Sequence, residues 1–183
     1  ENGTEYLYHC DTGRRKVVKT KLDGTVVWEV GCPMESGVYT KPEEWCPTNS
    51  AFGPDGIVFI GDGYGGSYIH AFGTDGKWKR IVARPGKDPG QVSCPHGMVV
   101  DMRGTVFTKE PALAVADRGN RRIQVFDPAK GSFTGYYLRA DGVSWRTAGS
   151  TTVLTGVSLL RPDTFFLVKR ANPNPAHLIL RPY

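Results

Sequence analysis

The chain has 183 residues, a net charge of +5 and a composition 39% hydrophobic and 22% charged, with 23 Gly and 13 Pro, which describes a globular chain of short elements and many turns. No apolar run approaches the ~18 residues of a membrane-spanning helix, and residues 1–10 lack the basic start and apolar stretch of a signal peptide. Lys and Arg are interspersed with Asp and Glu, so the basic balance permits an acidic partner without selecting one.

Turn residues divide the chain into four copies of one unit, over residues 1–46, 47–93, 94–140 and 141–183. In the first, Asp11-Thr12-Gly13-Arg14-Arg15-Lys16-Val17 reads as a turn entering a strand, and Leu22-Asp23-Gly24-Thr25-Val26-Val27-Trp28 as a second turn and strand. The second unit opens with Pro47-Thr48-Asn49-Ser50-Ala51-Phe52-Gly53-Pro54-Asp55-Gly56. Its apolar runs Ile57-Val58-Phe59-Ile60 and Tyr68-Ile69-His70-Ala71-Phe72, bounded by Gly-rich or Asp-Gly turns, are strands. Asp62-Gly63-Tyr64-Gly65-Gly66-Ser67-Tyr68 repeats the first turn with one residue more, and Thr74-Asp75-Gly76-Lys77-Trp78 repeats the second. In the third unit Pro95-His96-Gly97-Met98 takes the place of Pro47-Thr48-Asn49-Ser50. Asp117-Arg118-Gly119-Asn120-Arg121-Arg122-Ile123 matches the copy at Asp11 with no gap, and residues 127–133 repeat the second turn and its strand. Residues 108–112 read as a short insertion and residues 140–152 as linker. A weaker fourth copy follows from Gly156, with strands at 158–160, 165–168 and 177–180.

Four hairpin-linked strands make an antiparallel sheet too small to bury its own face, so adjacent copies must stack. Stacked radially, they form a β-propeller, and the fold class is all-β. Cys10, Cys32, Cys46 and Cys94 show no C-x-x-C spacing. Two readings stand for them: disulfide partners, with Cys32 and Cys46 flanking one loop, or small buried hydrophobes. The Asn2-Gly3-Thr4 sequon leans toward an extracellular or secretory setting.

Ile60-Gly61-Asp62-Gly63-Tyr64-Gly65, Cys94-Pro95-His96-Gly97 and the run from Val115 through Asp117-Arg118-Gly119-Asn120-Arg121-Arg122 to Phe126 resemble NHL repeats. Their order is similar to that in the peptidyl-α-hydroxyglycine α-amidating lyases over about residues 47–126. That resemblance implies a six-bladed propeller with zinc held by three histidines and a tyrosine acting as base on the substrate hydroxyl. The tyrosine maps onto Tyr64 and one zinc histidine onto His96. The Pro-His pairs that carry the other two ligands have no counterpart, since His9, His70 and His177 do not follow proline, and the family arginine lies upstream of the aligned region.

Each residue also has a plainer role open to it. His96 can be the turn into a strand, Tyr64 a ring packed on a Gly-rich turn, and His70 a packing residue among apolar neighbours. Asp117 and Arg118 can tie turns together through charge-assisted hydrogen bonds, and Arg118, Arg121 and Arg122 can form a basic binding face. The chain is then a lyase-like zinc propeller incomplete as a catalytic unit and acting on a peptide substrate, or a non-catalytic propeller that binds a protein. In either case a further chain or segment can complete the ring, unless four units close it. RNA binding ranks last, because aromatic positions do not interleave with the basic ones.

Overall fold

The computed structural model describes residues 3–102 and 111–127, with the backbone of Tyr136–Leu138 and Trp145–Thr147; for Asp55, too, only the backbone is described. These residues are all-β, with three single-turn 3-10 segments and no α-helix among them. The expected strand in 127–133 and the fourth unit from Gly156 onward lie outside the described residues.

Three short strands, β1 (Leu7–Asp11), β2 (Lys16–Thr20) and β3 (Val26–Val30), pair antiparallel in that order. The second sheet is a meander of β4 (Asn49–Phe52), β5 (Ile57–Gly61), β6 (Ile69–Gly73) and β7 (Trp78–Pro85), extended by a parallel pairing of β7 with β8 (Gln91–Val92). The third sheet joins β9 (Pro95–Asp101), β10 (Ala112–Asp117) and β11 (Arg122–Phe126). A hairpin of β12 (Tyr136–Leu138) and β13 (Trp145–Thr147) follows, with β12 beside β11. Two expectations change. The stretch 140–152 contains β13, because Trp145-Arg146-Thr147 is rich in strand formers and follows an Asp141-Gly142 turn signal. Ala112, expected to close an insertion, is instead the first residue of β10 and pairs with Asp101.

The period-2 alternation of β5 and β6 decides how the sheets stack. Phe59, Ile69 and Ala71 point to one side, into a core shared with Leu113, Val115 and Phe126 of the third sheet. Val58, Ile60 and Phe72 point to the other side, into a core with Val17 of the first sheet and Tyr39 and Trp45 of the connecting loop. The second sheet is therefore covered on both faces, and β4 lies against β1 on one side and β9 on the other. Polar contacts reinforce the first seam: the Thr74 carbonyl accepts hydrogen bonds from Lys19 Nζ at 3.1 Å and Trp28 Nε1 at 2.9 Å.

Equivalent positions in the three units share backbone geometry. Arg15, Ser67 and Arg121 all close the turn after the repeated Asp with left-handed φ of 57°, 62° and 55°. Each of these turns, the second one residue longer, thus ends on a left-handed residue that leads into the returning strand.

Candidate functional site

The site lies where the β5–β6 turn of the second sheet meets the start of β9 and the β10–β11 turn of the third. Tyr64 stands on the first of these between two glycines that have no room for a side chain. A Cβ on Gly63 would run into the Pro95 carbonyl and Thr48, and one on Gly65 into Asp62, the Glu44 carbonyl and the Cys46 amide. The turn is thus pressed onto its neighbours, and the Tyr64 ring is left 54% exposed. Thr48 Oγ1 stitches the underside, reaching the carbonyl oxygens of Pro95 at 2.8 Å and Gly61 at 3.0 Å.

His96 is presented by an irregularity in β9. Met98 pairs with Val115 and Pro95 with Asp117, so His96 and Gly97 together face Ala116 alone. Such a bulge re-aims a side chain. His96 Nε2 lies 2.9 Å from the Tyr64 hydroxyl, with the rings edge to face at 5.2 Å. Arg118, on the β10–β11 turn, donates to the same hydroxyl at 3.4 Å, and its guanidinium carbon lies 5.9 Å from the Tyr64 ring centre. Arg118 also reaches Cys94 Sγ at 3.7 Å. With Arg118 donating to the phenol oxygen, the phenol proton is directed to His96, an arrangement suited to taking a proton from a bound hydroxyl beside a cation that can receive an anion.

The three arginines of the third turn have different surroundings. Arg118 and Arg121 are exposed. Arg122 is drawn inward: its Nε pairs with buried Asp117 at 2.7 Å, and its Nη2 donates to the carbonyls of Asp88 and Gln91 at 2.8 Å each. Asp117 further accepts from the Ser93 amide at 2.6 Å, Asn120 and Gln124. His70 is fully buried on β6 and hydrogen bonded through both ring nitrogens, as a packing residue should be. Cys10, Cys32 and Cys94 are half-buried and Cys46 buried, all four as free thiols. The resemblance put Tyr64 and His96 in one site, whereas the approach of Arg118 to the same hydroxyl was not foreseen. Sequence reasoning also missed Asp62 and Tyr39, which lie beneath the Tyr64 turn. The recurrence of Asp at 11, 62 and 117 was the available signal for the first.

No protein-family model matches the chain. It is similar to human NHL repeat-containing protein 3, 30% identical over 122 residues that make up 65% of this chain and 33% of that protein. The mouse protein of the same name is 30% identical over 115 residues, 61% of this chain and 31% of that one. Peptidyl-glycine alpha-amidating monooxygenase B of Xenopus laevis is 35% identical over 92 residues, 48% of this chain and 10% of the relative. The chain therefore spans about a third of the first of these relatives and a tenth of the last. Stacked meander sheets and these similarities together define the class, an all-β chain of the NHL-type β-propeller. Within that class its similarity runs both to NHL repeat-containing protein 3 and to the amidating monooxygenases.

A catalytic zinc takes three protein ligands and an open position. Among the described residues no three of His, Cys, Asp and Glu converge, and His96 sits beside a phenol and a guanidinium. These residues alone do not fit a zinc site.

Proposed function

We propose that the protein is a lyase-like NHL propeller that cleaves a peptidyl-α-hydroxyglycine to a peptide amide and glyoxylate, with Tyr64, His96 and Arg118 as its acid–base and anion-binding centre. The observation that carries this reading is the 2.9 Å contact of His96 with the Tyr64 hydroxyl, which Arg118 also approaches. Arg118 holds the substrate carboxylate. The substrate hydroxyl gives its proton to the Tyr64–His96 pair, its oxygen becomes the glyoxylate carbonyl, and the C–N bond breaks. The electron pair stays on the amide nitrogen, which takes a proton back, so the reaction needs neither oxidant nor reductant. Zinc, if the whole propeller holds one, needs ligands beyond the described residues, which accords with the fraction of each relative that the chain spans.

A second reading, a non-catalytic propeller that holds a protein partner, is favoured by exposed Leu22, Val26 and Val27 along the β2–β3 hairpin. The deciding experiment follows glyoxylate release from a peptidyl-α-hydroxyglycine by the full-length protein and by Tyr64→Phe. The lyase reading expects release by the wild type and a drop of about a hundredfold or more in kcat for the variant, with unchanged thermal stability. Wild-type protein that releases no glyoxylate would leave the binding reading in possession.

A further inference from the structure

The repeated aspartates provide a comparison within one molecule. Asp117 is clamped by the Arg122 guanidinium at 2.7 Å. Asp62, at the same place in the second unit and equally buried, has no such clamp among the described residues. Its Oδ1 accepts from the Cys46 amide at 2.7 Å, and its Oδ2 accepts from the Gly66 amide at 2.6 Å and the Tyr39 hydroxyl at 2.8 Å. Behind Tyr39 stands His70, which occupies the place of Gln124 in the third unit. Trp78 Nε1 donates to His70 Nδ1 at 3.1 Å, which leaves the imidazole proton on Nε2, 2.8 Å from the Tyr39 oxygen. The chain of donors runs from Trp78 through His70 and Tyr39 and ends on the Asp62 carboxylate, which also ties the turn bearing Tyr64 through the Gly66 amide within it and the Cys46 amide of the neighbouring loop.

We infer that Asp62 is the positioning residue for Tyr64, bracing its turn through the Cys46 and Gly66 amides, with the buried Tyr39 hydroxyl, itself held by His70, as a third donor to its carboxylate. This deepens the lyase reading and rests on it. A protonated Asp62 loses an acceptor lone pair, one amide bond weakens, and Tyr64 is no longer held against His96.

Among the described residues, few groups face Asp62. Tyr39 and Cys32 lie on the loop between the first two sheets, with Tyr68 beside Tyr39, and Cys46 lies at the loop's end. Arg15 of the β1–β2 turn is the cation acting on Asp62, but its guanidinium donates to the Trp45 carbonyl at 2.9 Å. Arg84 of β7 acts on His70. Burial raises the Asp62 carboxyl to about 6, against the opposing pull of its hydrogen bonds to Cys46, Tyr39 and Gly66 and of Arg15. Burial, and then Arg84, lowers His70 to about 4, so His70 stays neutral while Asp62 titrates. Burial and the Asp62 carboxylate push the Tyr39 phenol far up, so it remains a donor.

The test is the pH profile of glyoxylate release by the full-length protein over about pH 5 to 8, for wild type, Asp62→Asn, Tyr39→Phe and Tyr64→Phe. The wild-type rate should fall on the acid side with a midpoint near 6. Asp62→Asn, isosteric but unable to titrate, should lose the share of that limb that Asp62 contributes, leaving only what the Tyr64–His96 pair gives, and show kcat about tenfold lower at neutral pH with KM unchanged. Tyr39→Phe, which removes a donor to the carboxylate, should move the limb up by about one pH unit. A limb in Asp62→Asn with the wild-type midpoint and steepness overturns the inference, and that variant decides alone if Tyr39→Phe does not fold. A Tyr39→Phe profile identical to wild type overturns it too. Tyr64→Phe separates the two levels: if it is as active as wild type, the reading of the site fails, whereas if it is inactive and the limb is unchanged in Asp62→Asn, only the positioning role fails.

Discussion

Asp11, Asp62 and Asp117 occupy one position of the repeat, and each serves its turn differently. Asp11 accepts from the Arg14 amide at 2.9 Å in a half-exposed setting, where water can replace the bond. Asp117 is fully buried and collects donors from Ser93, Asn120, Arg122 and Gln124. Removing one partner of a buried ion pair leaves the other charge without compensation. Asp117→Ala should therefore lower unfolding stability by about 3 to 5 kcal/mol in a denaturant titration, whereas Asp11→Ala should cost under about 1 kcal/mol. Similar losses for both would mean that the Asp117 network is not what holds the third turn. The tie of Asp117 to Asn120 was legible in the Asp-Arg-x-Asn-Arg spelling, whereas Arg122, read from sequence as part of a basic face, turns inward to clamp it. The phenol and imidazole that take the clamp's place around Asp62 were not legible, because Tyr39 lies 23 residues away in sequence and only folding brings it near.

Among elements, strands bounded by Asp-Gly and Gly-rich turns could be read directly, since a period of two and a turn signal are both local. The strand Trp145–Thr147 was missed because three residues are too few to show alternation. The loop between β3 and β4 was illegible for a different reason. It carries two 3-10 turns and contributes Tyr39 and Trp45 to the core, and neither placement follows from a repeating pattern. The candidate site depends on close approach of backbone to backbone at the Tyr64 turn. Gly63→Ala should displace the turn from Pro95 and Thr48 at a cost of about 1 to 3 kcal/mol and should reduce glyoxylate release by the full-length protein by about tenfold or more. Gly24→Ala, at a left-handed position in open space, serves as the control. It should cost about 1 kcal/mol with release unchanged. Equal losses of release in the two variants would mean that the turn's close fit does not matter to the chemistry.

For the molecule as a whole, the second sheet is the shared wall of two cores. Leu113 of β10 is fully buried against it, in the cluster with Phe59, Ile69 and Val92. Leu113→Ala should cost about 3 kcal/mol, the transfer term plus an unfilled cavity. Because Tyr64 and His96 come from opposite sides of this seam, the same substitution should also loosen the site. A variant that unfolds more easily yet keeps wild-type turnover would argue that the seam and the site are independent. The propeller was readable from the repeat because sheets this small have to stack. Which residues would meet across a seam was not, since the repeat fixes the order of strands and leaves their facing pairs to packing.

The two-sided burial of the second sheet also bears on how the chain assembles. Contacts within each sheet join strands close in sequence, so any of the three can begin to form locally. Among the described residues, the middle one gains from both neighbours. Its opening must break both cores at once. β5 and β6 should thus be among the last of the described strands to exchange their amides with solvent. The turn carrying Tyr64 joins those two strands, so that tyrosine is carried on a persistent part of the described structure.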